Sequence, residues 1–255
     1  MSDELFATLS FLLAVIGFLK PREISLARLF QAASRPPILV WSDAYWNNAT
    51  ASRQAVGGMG FVVFFPPGHP RVAGHPRGRY FYAARRVSIS DLPQLERDSD
   101  IIGQLELLAA ASPYVSFPDA PFDDEDVIHF IDNVSALYGL VKGFSSRPDS
   151  LAIIRAFHVA NIAIRANVWF NYVATKANVA DLPSRLAIGE MADVLRSFDP
   201  SFDLIGDRVD LVIPACPRDM SAMWAAVAQQ LPGRSAKPAR HSSRRNGSSG
   251  SKRRR

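Results

Sequence analysis

Hydrophobic and polar positions change period several times along these 255 residues. Near the N-terminus Leu5, Leu9, Leu12, Leu13 and Ile16 recur at helical spacing. Pro21 is suited to open a second helix running through Phe30, and Pro36-Pro37 ends the segment. The period then becomes that of strands: Ile38 to Trp46, then Gly57 to Phe65 with glycines leading, then Arg79 to Val87. These three read as an antiparallel meander.

Asp98 or Ser99 is placed to cap a helix reaching about Ser112, with Ile101, Leu105, Leu108 and Ser112 on one face and Glu106 at its border. Val127 to Asp132 is mostly apolar, as expected of a strand buried on both faces. A helix over Asn133–Val141, a helix over Ser150–Arg165 and a strand over Asn167–Val173 follow. Asp181 opens a short helix. A strand is expected over Arg208–Ile213 and a helix around Trp224. Within the long helix His158 reads as structural. From Gly233 onward no apolar periodicity remains, which predicts disorder.

Composition adds bounds. At 48% hydrophobic and 21% charged residues the chain is globular in character, with room for one domain plus extensions. A single cysteine, Cys216, excludes an internal disulfide framework and a cysteine-rich zinc site, and fits a reducing compartment. Leu5–Leu19 is shorter than a membrane span needs, and Asp3 and Glu4 before it are unlike the basic start of a secretory signal. No membrane association is expected.

The net charge of +5 is unevenly spread. Nine Lys and Arg residues and no acid lie between 233 and 255, so the body is near −4 and the tail strongly basic. Such asymmetry is common in proteins that touch nucleic acid; a solubilising or nuclear-import tail is the alternative. An intracellular setting is expected, nuclear rather than cytoplasmic if the tail is a guide.

Chemistry enters through acids in apolar surroundings. Asp43 sits inside an apolar strand, where an unpaired charge is costly, and a cation is the simplest partner. Glu106 borders an apolar stripe, although a solvated Glu is the plain alternative. Asp132 ends a buried strand, where α/β sheets place their chemistry. Asp181 suits a helix N-terminus even without further function. The run Asp123–Asp126 is expected in solvent.

Taken together, these pieces resemble the ribonuclease H family, specifically the domains attached to retroelement reverse transcriptases. The matching residues are Trp41-Ser42-Asp43 with Gly57-Gly58-Met59-Gly60, Gln104-Leu105-Glu106, and Ile131-Asp132-Asn133. Leu140-Val141-Lys142-Gly143 with Ser145 and Asn178-Val179-Ala180-Asp181-Leu182-Pro183-Ser184-Arg185 also match. The resemblance covers about residues 38–188. It implies an α/β fold: a five-stranded mixed sheet, three strands antiparallel and two parallel, flanked by helices. It divides the chain into a helical extension (1–37), a ribonuclease H-like domain (38–188), an extension of unknown role (189–232) and a basic tail (233–255).

It also implies that Asp43, Glu106, Asp132 and Asp181 are catalytic and hold two Mg2+ ions, with Mn2+ as a substitute. Magnesium takes oxygen ligands, and two such ions about 3.5–4 Å apart suit an in-line displacement at phosphorus. The implied reaction is hydrolysis of the RNA strand of an RNA–DNA hybrid, leaving 5′-phosphate and 3′-hydroxyl ends. Asn47, Asn48, Gln54 and Asn133 are candidates for contacting RNA 2′-hydroxyls, with turn-forming roles as the alternative. A parent reverse transcriptase polyprotein is the implied partner. Residues 1–36 would then be the end of its thumb or connection region. One departure stands out: the loop before Asp181 reads Ala174-Thr175-Lys176-Ala177, where many relatives carry a histidine. An inactive nucleic-acid-binding relic and another nuclease or integrase of the same superfold are the competing readings.

Overall fold

The computed structural model describes residues 36–48, 55–92, 95, 101–219 and five positions between 222 and 229. The expected helices before Pro36, Gln54, the Asp98/Ser99 cap, the helix position of Trp224 and the tail 233–255 lie outside the described residues.

Alternating apolar and polar residues, rich in β-branched and aromatic types, build five strands. They are β1 (Ile38–Asn47), β2 (Val56–Phe65), β3 (Arg79–Ser88), β4 (Asp126–Ile131) and β5 (Asn167–Tyr172). They form one sheet in the order β3-β2-β1-β4-β5. β1 to β3 pair antiparallel, and β4 and β5 run parallel to β1. This is the mixed sheet that the resemblance implied.

Among the described residues the flanking helices are α1 (Ile102–Ala111), α2 (Pro113–Ser116), α3 (Val134–Lys142), α4 (Pro148–Ile164), α5 (Asp181–Ser184) and α6 (Ile188–Phe198). Both sheet faces carry apolar residues, so each needs a cover. On one face Ile38, Val40, Phe61, Val63 and Ile131 pack with Leu105, Leu108, Ile154 and Phe157 of α1 and α4 in the main core. On the other, Val62 and Tyr82 pack with Met191, Ala192 and Leu195 of α6 and with Phe202. Among the described residues no helix is long and apolar enough to cross a membrane.

Three local expectations need correction. α1 is not a one-sided amphipathic helix: Gln104 to Ala111 are all buried, because it lies against the sheet and is covered by α3 and α4. Buried polar groups need partners, and Gln104 donates to Asp149 of α4 at 3.2 Å. Of the acidic run, Asp124 and Asp126 are exposed but Asp123 and Glu125 are only partly so.

Third, Arg208–Ile213 is not a strand. The segment touches the β3 edge at one residue, Tyr82, whose N–H donates to Asp207 O at 3.1 Å and whose carbonyl accepts from Val209 N at 2.8 Å. Buried Asp207 pairs with the Arg79 guanidinium and accepts from Asp203 N at 2.7 Å, pinning the turn before the contact. After it, Val212 N–H turns to Ser116 Oγ at 3.0 Å, while Val209 and Leu211 enter the main core. Side-chain burial, not a backbone ladder, sets the path of this strap.

Candidate metal centre

Asp43, in the interior of β1, is 3% exposed, and Glu106 on α1 is 5% exposed. α1 packs on β1, and the Glu106 carboxylate it carries reaches that of Asp43. β4 runs parallel beside β1, with Trp41 opposite Phe130, and carries Asp132 just past its carboxyl end. One carboxylate oxygen from each of Asp43, Glu106 and Asp132 lies within 4.8 Å of the other two. Three acids from distant parts of the chain thus share one pocket.

Their electrostatics follow from that crowding. Burial pushes the Asp43 carboxyl up to about 7; a hydrogen bond from Ser184 opposes the rise, and Asp132 and Asp181 add to it. Burial, then the charges of Asp43 and Asp132, push Glu106 up to about 9, against a hydrogen bond from the Ala44 backbone. Like charges and low dielectric disfavour ionisation unless a cation is present.

Asp181, the first residue of α5, is not a member of the close trio. Its Oδ1 accepts from Arg185 Nε at 2.7 Å, one turn further on. It is near enough to raise both Asp43 and Glu106.

The glycines of β2 explain how α5 reaches the sheet. A Cβ on Gly58 would lie 2.1 Å from Ser184 O, and one on Gly60 would lie 2.4 Å from Ser184 N. Any side chain there would displace α5. Because both are glycine, Ser184 is buried against β1 and its hydroxyl donates to Asp43 Oδ2. Buried Asn178 completes the join: its amide donates to Ser42 O at 3.0 Å and its oxygen accepts from Ala180 N at 3.2 Å.

A further polar chain runs beneath. His129 on β4 is fully buried between Tyr114 Oη (3.0 Å) and Ser42 Oγ (2.9 Å). Burial pushes its imidazole down to about 3, so the ring is neutral. It braces β1 next to Asp43.

The three asparagines singled out in the sequence lie at or just beyond element ends. Asn47 is exposed at the end of β1. Asn48 accepts from the Trp46 indole at 3.0 Å. Asn133 accepts from Ala136 N at 3.0 Å, capping α3; at the other end Gly143, at φ +67°, closes that helix in a conformation suited to glycine. His158 Nε2–H donates to Leu140 O at 3.0 Å in the same region, a structural role.

Ser184, Asn178, His129 and Arg185 were not assigned roles from sequence. A signal did exist for His129: like Asp43, it is a titratable residue inside an apolar strand and needs partners.

The donor set can be tested against a divalent cation. Glu106 Oε2 and Asp132 Oδ1 are buried and make no hydrogen bond among the described residues. Unsatisfied buried carboxylate oxygens are costly. Two of them in a pocket of three acids, without nitrogen or sulfur donors, fit a hard cation such as Mg2+ or Mn2+. Cys216 is buried in the main core.

No family model matches the chain, and no curated protein does. Among solved structures it is similar to LC9-RNase H1, a type 1 RNase H with the type 2 active-site motif (15% identity, 62% of this chain and 74% of that one, TM-score 0.40). It is also similar to RNase H1 from the halophilic archaeon Halobacterium salinarum NRC-1 (15%, 61% and 99%, TM-score 0.39). A third is the N-terminal RNase H domain of a Mycobacterium tuberculosis protein, fused to maltose-binding protein (12%, 62% and 97%, TM-score 0.35).

Proposed function

We propose that this chain is a metal-dependent endoribonuclease that hydrolyses the RNA strand of RNA–DNA hybrids, and that it descends from a retroelement reverse transcriptase. The observation that carries the reading is the convergence of Asp43, Glu106 and Asp132, with two buried oxygens left unsatisfied. The order of the sequence motifs, from Trp41-Ser42-Asp43 to the Asp181 segment, supports the narrower choice of substrate.

In this reading Asp43, Glu106, Asp132 and Asp181 hold two divalent cations, which when bound neutralise phosphate charge and make water a better nucleophile at neutral pH. Ser184 and the Ala44 backbone N–H orient Asp43 and Glu106. Asn133 and Asn48 use their oxygens locally, which leaves their amide nitrogens as donors; with Asn47 they are the candidates in this reading for donating to 2′-hydroxyls, which distinguish RNA from DNA.

The test is cleavage of a labelled hybrid with Mg2+ or Mn2+. Asp132→Asn should lower the rate at least about a hundredfold, since even outer partners of metal ligands cost about 10–100-fold. Wild-type rates in that variant, or an inert wild type with both metals, would defeat the proposal. A second reading, a non-catalytic nucleic-acid binder, is favoured by the loop before Asp181. There Thr175–Ala177 forms an exposed turn without histidine.

A further inference from the structure

The fourth acid differs from the other three in already having a cation. Arg185 Nε donates to Asp181 Oδ1 at 2.7 Å, and the guanidinium also lies 5.8 Å from the centre of the Tyr45 ring. The arginine is more than half exposed, its stem rooted at the end of α5, whereas Asp181 is about one quarter exposed. By contrast, Glu106 Oε2 and Asp132 Oδ1 face the pocket with no partner among the described residues.

We infer that Arg185 is a built-in counter-ion: it holds Asp181 until a divalent cation competes for it, so the trio and Asp181 fill unequally. This rests on the metal-dependent reading above. An exposed ion pair between long side chains is weak and readily exchanged, which suits a placeholder. The i, i+4 spacing lets the arginine swing away without moving α5. The guanidinium also lies close enough to act on Asp43, where it opposes the effect of the neighbouring acids. Removing it leaves four acids without a fixed positive charge, which favours cation entry.

The experiment is calorimetric titration of the full-length protein with Mn2+ and separately with Mg2+, without nucleic acid, for wild type, Arg185→Ala and Arg185→Lys. The wild type should bind one ion more tightly than the next. Arg185→Ala should tighten the weaker event about three- to tenfold and change the tighter one less than about twofold. Arg185→Lys, which keeps a cation within reach, should stay near wild type. Equal weaker-site affinities in wild type and Arg185→Ala would overturn the inference, as would weaker binding in Arg185→Ala, which would mean that Arg185 positions Asp181 for the ion. If no ion binds any form, the metal-dependent reading fails as well; if ions bind and the variants match wild type, the placeholder alone fails. Thermal melts of each variant confirm that the fold is intact.

Discussion

At the scale of the residue, the crowding of acids sets the protonation of the site, and under the metal-dependent reading a cation competes with those protons. The Asp43 and Glu106 carboxyls rise from 3.8 and 4.5 to about 7 and about 9. A carboxyl with a raised folded-state value favours the folded state only while protonated, so this contribution is complete below the unfolded value and is lost as pH climbs through the folded one. The metal-free protein should therefore lose melting temperature between about pH 4 and pH 9. Glu106→Gln should flatten that decline and raise the midpoint at pH 8 by a few degrees in EDTA. Saturating Mg2+ should stabilise the wild type most at the alkaline end. A wild-type midpoint that climbs steadily across this range in EDTA would contradict the raised values.

The sequence exposed Asp43 through the cost of charge in an apolar strand and Asp132 through its place at the carboxyl end of a buried one. It could not separate Glu106 from a solvated helix position, because the layer that covers α1 is built by α3 and α4, far along the chain. Ser184 was equally hidden: a serine has no pattern, and only its burial against Asp43 gives it meaning.

At the scale of the element, the glycine-led β2 and the four-residue α5 are one device. Strand periodicity placed β2 correctly, and leading glycines permit either close approach or an unusual backbone angle. What came close, α5, was not legible, since more than a hundred residues separate them. Gly60→Ala should force Ser184 away from β1, at a cost of about 1–3 kcal/mol in urea unfolding. The same variant should weaken divalent-cation binding, because Ser184 and Asp181 shift together. Unchanged stability and unchanged cation affinity would show that α5 moves aside freely. The expected strand over Arg208–Ile213 shows the opposite limit. Alternating Val209, Leu211 and Ile213 looks like a half-buried strand, yet the same alternation serves a strap that dips into the core.

At the scale of the whole molecule, a mildly acidic body carries a basic tail. If the tail tracks phosphates, deleting 233–255 should weaken hybrid binding and lower the slope of log affinity against log salt by several units. Under the nuclease reading, the truncated protein should still cleave at high hybrid concentration; under the binding-only reading, nucleic-acid association should vanish. An unaltered slope would remove the tail from the interface in both. Strand periods gave the antiparallel meander and the motif resemblance implied the mixed sheet, whereas the cover of the second sheet face was not legible: α6 with Phe202 lies in a stretch without motifs.

The strap at Tyr82 also has a bearing on biosynthesis. The rim of the sheet at β3 emerges from the ribosome more than a hundred residues before Asp207 and Val209 arrive to occupy it. Until then the Tyr82 N–H and C=O at the middle of that edge are open to any passing strand, a known route to aggregation. Products ending before about residue 209 should keep the acids yet precipitate more readily than the longer chain, which sedimentation of the two would show.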